Sequence, residues 1–599
     1  MRTSIATVSL SGSLTEKLTA ASRAGFDGVE IFENDLLASP LSPEEIRARC
    51  ADLGLSIELY QPMRDIEAVP EAEFARNLRR ARHKFEVMRR LGADTVLVCS
   101  SVSPLAEDDD ALAAAQLSQL ADLAQEFGVR VAYEALAWGR HVSTYDHAWR
   151  IVGTAGHPAL GTCLDSFHIL SRGSDPKGIA DIPGEKIFFL QLADAPLLAM
   201  DVLQWSRHYR CFPGQGGFDV AGLVRHVLNA GYTGPLSLEV FNDVFRQAEA
   251  GPTAVDAHRS LLVLQETVGV SRPPAPVVPT GFAFAELVTP DAEPVSALLG
   301  ALGFARTARH RSKPVDLWQQ GEARILVNTG PAVRRDGTAL AAIGLESPDP
   351  QGAARRAEAL LAPVLPRRRA PEDAPLEAVA APDGTELFFC APTGPELPGW
   401  RADFTDTTAQ PPARTGVLRI DHLALTQPWH HFDEATLFHR SVLGLDAQES
   451  VDVADPYGLL RSRAVTNPDG SVRIALSVGA APTEDDTHAR HIALATEDLV
   501  AAARDFHDLS GRFLRMPANY YDDLAARFDF TEGELETYRE LGILYDRDAG
   551  GEFRHCYTRT VGRVFFELVQ RDGDYRGYGA QNAPVRLAAQ RTARLLTGG

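Results

Sequence analysis

Phe127-Gly128-Val129-Arg130-Val131-Ala132-Tyr133-Glu134 holds a small-residue turn, a short β-branched run and a carboxylate at the run's last position. The turn before a strand recurs along the first half of the chain, in Ala24-Gly25-Phe26-Asp27, Leu53-Gly54, Leu91-Gly92-Ala93 and Ala230-Gly231-Tyr232. Working outward, short apolar runs at 5–10, 28–32, 55–60, 95–99, 129–134, 160–165, 187–192 and 236–240 alternate with amphipathic helical stretches. That alternation is the pattern of repeated βα units around a parallel sheet. Eight units in residues 1–270 predict an N-terminal (β/α)8 TIM barrel in an α/β fold.

The next stretch, Ser271-Arg272-Pro273-Pro274-Ala275-Pro276-Val277-Val278-Pro279, cannot continue a helix or enter a central strand, so 271–280 reads as a stiff linker and the domain boundary. Beyond it, longer alternating strands are separated by single helices. Blocks 281–415 and 416–599 share a strand, helix, Leu-Gly, strand start, in Ala301-Leu302-Gly303-Phe304 and Val442-Leu443-Gly444-Leu445. A duplicated βαβββ module in an α+β domain is the economical reading. Residues 363–416, rich in Pro and Ala, read as loop with a few embedded strands.

Composition narrows the function classes. The chain has 599 residues, too many for one core, with 45% hydrophobic and 23% charged residues, which excludes disordered and collagenous classes. Its formal net charge of -21 repels phosphate backbones and anionic lipid, so nucleic acid is excluded as a general partner and a small molecule is favoured. Six singly scattered cysteines read as reduced thiols, the N-terminus has no signal-peptide pattern, and no apolar run approaches about 18 residues, which together predict a cytoplasmic chain without a membrane span. The sequence leaves room for a homo-oligomer.

Barrel active sites gather where strands end and βα loops begin. Glu134, Asp165, Gln191 and Glu239 stand at the ends of strands five to eight and converge on one side of the mouth. Crowded carboxylates resist ionisation unless a cation sits among them, and an all-oxygen set suits Mg2+ or Mn2+ rather than zinc. The bland alternative for any one acid is a helix cap or a pairing with lysine.

Ala24-Gly25-Phe26-Asp27-Gly28-Val29-Glu30-Ile31-Phe32 with Glu33-Asn34-Asp35 is similar to bacterial 3-dehydroshikimate dehydratases, and the first half resembles sugar phosphate isomerase and epimerase barrels. The second half resembles 4-hydroxyphenylpyruvate dioxygenase, so the whole chain looks like the two-domain dehydratases of quinate and shikimate catabolism, with a C-terminal domain of vicinal oxygen chelate type. The resemblance implies dehydration of 3-dehydroshikimate to protocatechuate and a divalent metal (Mg2+, Mn2+ or Co2+) on Glu134, Asp165, Gln191 and Glu239. His168, three residues past Asp165, is placed for proton transfer. Arg64, Arg207, His208 and Arg210 are candidates for holding the substrate, whose carboxylate calls for Arg forks, and Pro213-Gly214-Gln215-Gly216 would let backbone approach the ligand. The rival on the same barrel is a sugar or inositol isomerase or epimerase, fused to a non-catalytic binding or assembly module.

In the second half, His422 in Ile420-Asp421-His422-Leu423, His491 in Arg490-His491-Ile492 and Glu567 in Phe565-Phe566-Glu567-Leu568 each sit in an alternating strand. Two imidazoles and one carboxylate form the facial set for Fe(II) or another divalent metal, so 416–599 reads as the metal-binding module and 281–415 as its degenerate copy. Two departures from the dioxygenase pattern stand out. His555 replaces the substrate-contacting Gln, and the closing-helix signature becomes Ala580-Gln581-Asn582-Ala583-Pro584.

Overall fold

The computed structural model describes residues 1–330, 337–366, 373–374, 376–392, 399–407, 416–456, 458–479 and 489–597. The chain divides into two compact units, Met1–Pro273 and Pro274–Gly599. In the first, β1 (Thr3–Ala6), β2 (Gly28–Phe32), β3 (Ser56–Met63), β4 (Thr95–Cys99), β5 (Arg130–Glu134), β6 (Leu160–Asp165), β7 (Ile187–Leu192) and β8 (Leu236–Leu238) close into a parallel barrel in sequence order. The helix Leu14–Ala24 shows the local logic of the repeat. Ser13 and Glu16 form a reciprocal capping box at its start, and Gly25, at φ 94°, ends it in the left-handed conformation that a side chain would strain.

Two strands differ from expectation. The apolar run at 5–10 gives a strand only to Ala6, because Thr7–Ser9 winds into a 3₁₀ turn, and the last strand stops at Leu238. Glu239 therefore stands just past its strand. Inside the barrel, Leu59, Leu97, Ala132, Cys163 and Phe189 belong to an inner core distinct from the larger one between strands and helices. Because side chains on a strand alternate with a period of two, Glu134, Asp165 and Gln191 lie two residues on, one layer nearer the carboxyl ends of the same inward face. Their register agrees, since Asp165 pairs with Gln191 and Cys99 with Glu134.

The second unit holds two mixed sheets. The first contains β9 (Gly281–Val288), β10 (Ala305–His310), β11 (Val315–Gln320), β12 (Ala323–Asn328), β13 (Ala339–Glu346), β14 (Glu377–Ala380), β15 (Glu386–Cys390) and β16 (Phe404–Asp406). The other contains β17 (Val417–Thr426), β18 (Asp446–Ala447), β19 (Val451–Asp455), β20 (Gly458–Thr466), β21 (Arg473–Gly479), β22 (Arg490–Thr496), β23 (Leu544–Arg547), β24 (Gly551–Tyr557) and β25 (Val564–Gly573). Each block thus holds two strand-helix-strands repeats rather than one. Their first strands, β9 with β13 and β17 with β22, pair antiparallel at the sheet centre. Within 363–416 the embedded strands are β14, β15 and β16, with β15 paired to the central β13, and 367–372, 375, 393–398 and 408–415 lie outside the described residues. Residues 274–279 pack with the second unit, where Arg356 donates to Pro274 O and Asn467 to Pro279 O. Among the described residues no helix is long and apolar enough to cross a membrane.

Candidate active site and metal centres

At the barrel mouth Glu134, Asp165, Gln191 and Glu239 are all buried and come together. Arg210, only 1% exposed, joins them from the loop after the helix Val202–His208. Its Nη1 donates to Asp165 Oδ2 at 2.8 Å and to Glu239 Oε2 at 3.1 Å, while Ser206 Oγ holds Nη2 at 2.8 Å. One guanidinium cannot neutralise three buried carboxylates. Burial, then the charges of Asp165 and Glu239, push Glu134 well above the usual carboxylate range, and burial takes Glu239 to about 7. Burial also pushes Asp165 upward, but Arg210 and His168 outweigh it and hold this carboxyl low. Glu134 Oε1 is buried without a hydrogen-bond partner. An orphaned carboxylate oxygen among further carboxyl oxygens and an amide is a donor set that suits a hard divalent cation.

Gln191 is oriented from below. Its Nε2 donates to Glu30 Oε2 at 2.6 Å, Gln61 Nε2 donates to the same oxygen at 2.7 Å, and Ser237 Oγ bonds Glu30 Oε1. With its NH2 turned to Glu30, Gln191 keeps Oε1 for the opposite side, where Cys163 Sγ lies at 3.5 Å. Burial, reinforced by the Glu239 charge, raises Glu30 well above its ordinary pKa, against the three hydrogen bonds this carboxyl accepts. The sequence showed Glu30 within the dehydratase-like stretch 24–32, without a role. A lone carboxyl inside the apolar run Val29-Glu30-Ile31 was the available signal.

His168 Nδ1 accepts the Ala137 N–H at 3.1 Å, and its Nε2 lies 3.3 Å from Arg210 Nη2 and 3.8 Å from Asp165 Oδ2. Burial holds its pKa down at about 3, and the indole of Trp138 meets the ring edge-on at 5.0 Å. These residues open onto a cavity of about 490 Å³ that Arg64, Arg207, His208, Arg246 and Gln61 also line. Arg64 and Arg207 are exposed, and His208 is half-buried against Asp243 at 2.9 Å. Arg246 and Trp138 are lining residues that the sequence did not single out. The glycines of Pro213-Gly214-Gln215-Gly216 close on a side chain of the fold instead of a ligand: Gly214 and Gly216 donate backbone N–H groups to buried Asp194, and a Cβ on Gly216 would lie 2.3 Å from its Oδ1.

In the second unit, register builds the other centre. His422 on β17 and Glu567 on β25 both pair with Ala493 of β22, and His491 stands two residues before Ala493 on the same face. Glu567 Oε2 lies 3.1 Å from the Nε2 atoms of both histidines. Nδ1 of His422 faces Asp421 Oδ1 at 2.7 Å, which turns Nε2 inward as a carboxylate does behind a metal-binding imidazole. Burial opposes charge on Glu567, yet the imidazoles around it hold its pKa well below the usual value. A third group, His310, Asp373 and Asp403, is already matched by Lys313 and Arg311, at 3.5 and 3.4 Å from the two aspartates. His430 and His431 lie in the turn leading into the helix Phe432–Leu443.

A barrel with an acidic inner rim, joined to a doubled βαβββ domain with a His-His-Glu face, defines a fusion of an isomerase-type barrel with a dioxygenase-type domain. Family models agree by segment: a xylose isomerase-like TIM barrel at 18–264, the N-terminal part of hydroxyphenylpyruvate dioxygenase at 274–384, and the glyoxalase/bleomycin resistance protein/dioxygenase superfamily at 419–537. The chain is 46% identical to a 3-dehydroshikimate dehydratase of Pseudomonas aeruginosa and 45% identical to one of Pseudomonas putida, with 99% of each chain covered in both comparisons. It belongs to the 3-dehydroshikimate dehydratase family. A solved xylose isomerase-like TIM barrel/4-hydroxyphenylpyruvate dioxygenase fusion protein superposes with a TM-score of 0.89 at 43% identity, over 99% of this chain and 100% of that one.

Proposed function

We propose that this chain is a metal-dependent 3-dehydroshikimate dehydratase, with the barrel, residues 1–270, as its catalytic half. The observation that carries the reading is the buried Glu134, Asp165, Gln191 and Glu239 set, of which Glu134 and Glu239 line one basic cavity, in a chain alike over its whole length to dehydratases. The reaction removes a proton from C4 and hydroxide from C5 of the substrate, leaving protocatechuate and water. A divalent cation held by the four residues, Mg2+, Mn2+ or Co2+, supplies the positive charge that stabilises an enolate at the C3 ketone.

The side chains divide the remaining work. Arg64, Arg207, His208 and Arg246 bind the substrate carboxylate at the cavity rim. Arg210, fixed by Ser206, keeps the charge among the inner acids balanced and meets substrate oxygen. His168 lines the cavity beside Arg210 and handles the proton that goes with the departing hydroxyl. The second unit is a dioxygenase-like domain whose His422, His491 and Glu567 hold Fe(II) or another divalent ion.

Incubating the metal-loaded protein with 3-dehydroshikimate tests the reading, because only dehydration creates an aromatic ring. Growth of the protocatechuate ultraviolet band is expected. Turnover to a non-aromatic isomer would favour the isomerase reading instead.

A further inference from the structure

The two departures from the dioxygenase pattern touch one another. His555 on β24 is fully buried, its Nδ1 lies 2.7 Å from Glu567 Oε1, and its Nε2 lies 2.9 Å from Asn582 Nδ2. Asn582 stands in the 3₁₀ turn just before the helix Ala583–Thr597. Its amide orientation is set independently of His555. Nδ2 donates to the carbonyl of Tyr545 at 3.1 Å and Oδ1 accepts from Tyr520 OH at 3.1 Å. The second N–H of the amide therefore points at His555 Nε2, which must accept. A neutral imidazole that accepts on Nε2 carries its hydrogen on Nδ1, and that hydrogen goes to Glu567 Oε1.

We infer that His555 is the positioning residue of the second metal centre: it fills one oxygen of Glu567 and presents the carboxylate to a cation through Oε2 alone. Oε2 is the oxygen 3.1 Å from both histidine Nε2 atoms, so the ligand set is two imidazoles and one carboxylate oxygen. His555 itself is no ligand, since both its nitrogens are engaged. Asn582 fixes the tautomer and ties the segment entering the C-terminal helix to the centre. The inference rests on reading His422, His491 and Glu567 as a cation site.

The probe is Co2+ alone, titrated calorimetrically into the metal-stripped full chain, with His422→Ala identifying which binding step belongs to this centre. If His422→Ala binds Co2+ as the unsubstituted chain does, the centre itself is misread. If that step is lost, His555→Ala is expected to weaken it by about 10- to 100-fold, the range for partners of metal ligands. His555→Gln should stay within about threefold of the unsubstituted chain, because a side-chain amide can donate to Glu567 and accept from Asn582. An unchanged dissociation constant in His555→Ala, or a Gln variant as weak as the Ala one, overturns the proposal. Should His555→Ala fail to fold, Asn582→Ala decides: a clear weakening supports the tautomer chain and an unchanged constant sinks it.

Discussion

At the barrel mouth three buried carboxylates share a single guanidinium, whereas in the second unit two imidazoles flank a single carboxylate. The first arrangement carries excess negative charge and is dominated by oxygen donors, with the His168 imidazole beside Glu134 and Asp165, which favours a hard cation. The second is closer to neutral and offers nitrogen, which favours Fe(II), Co2+ or Zn2+. Each centre also has its own bracket behind the ligands, Glu30 beneath Gln191 in one and Asp421 behind His422 in the other. From that difference we expect the two sites to fill and empty separately, and substitutions at one to leave the chemistry of the other intact.

The largest effect that would sharpen this contrast comes from the barrel ligands. Glu134→Ala, Asp165→Ala or Glu239→Ala should each cut dehydration on the order of 10³-fold, about 4 kcal/mol, and release the barrel metal while the second centre stays loaded. Product absorbance and metal analysis of the same samples provide the check. Full rates and unchanged metal in two of the three would remove the barrel centre from the reaction.

A step smaller is His168→Ala, which should lose about 10²-fold in turnover and keep its metal, because a proton-handling group acts on substrate and does not hold the cation. Loss of metal along with turnover would make His168 a ligand. Smaller again is Glu30→Ala, expected to weaken the barrel's metal affinity by about 10- to 100-fold by freeing the Gln191 amide. Glu30→Gln should retain most of that affinity, since its carbonyl oxygen can still accept both amide donors. A Gln variant as impaired as the Ala one would mean that charge on Glu30 is required.

Much of this was legible in the sequence because it depends on local rules. Eight short apolar runs, five of them announced by a small-residue turn, led to the barrel, and their strand-end positions led Glu134, Asp165 and Gln191 to its mouth. What escaped depends on neighbours distant along the chain. Arg210 read as one of four candidates for holding the substrate, and only the fold placed it between Asp165 and Glu239. The doubled sheets make the same point. In the second sheet His422, Ala493 and Glu567 form one row across β17, β22 and β25, and the corresponding row across β9, β13 and β15 is Phe284, Gly344 and Phe388. There the rings pack at 5.9 Å, and a Cβ on Gly344 would come within 2.5 Å of Phe284, so the middle residue must be glycine. The first block thus keeps the scaffold and fills its face with a core. Strand alternation alone could not separate a row built for packing from one built for ligation.

The smallest expected effect is the most direct attempt to break the separation of centres. All four barrel ligands precede Pro273, where the chain divides, and His422, His491 and Glu567 follow it. His422→Ala and Glu567→Ala in the full chain should therefore leave the dehydration rate within about a factor of two, a difference under 0.5 kcal/mol. A chain ending at Val270 should bind the barrel metal and keep some dehydration, since the last barrel helix, Ala250–Thr267, is complete by then. The competing expectation is that the second unit covers apolar barrel surface, so that truncation lowers thermal stability without touching a ligand. Rates and unfolding temperatures measured together on the truncation and both point variants separate the cases. A folded His422→Ala or Glu567→Ala variant that no longer dehydrates would show that the second centre governs the first, and the contrast between two independent sites would fail.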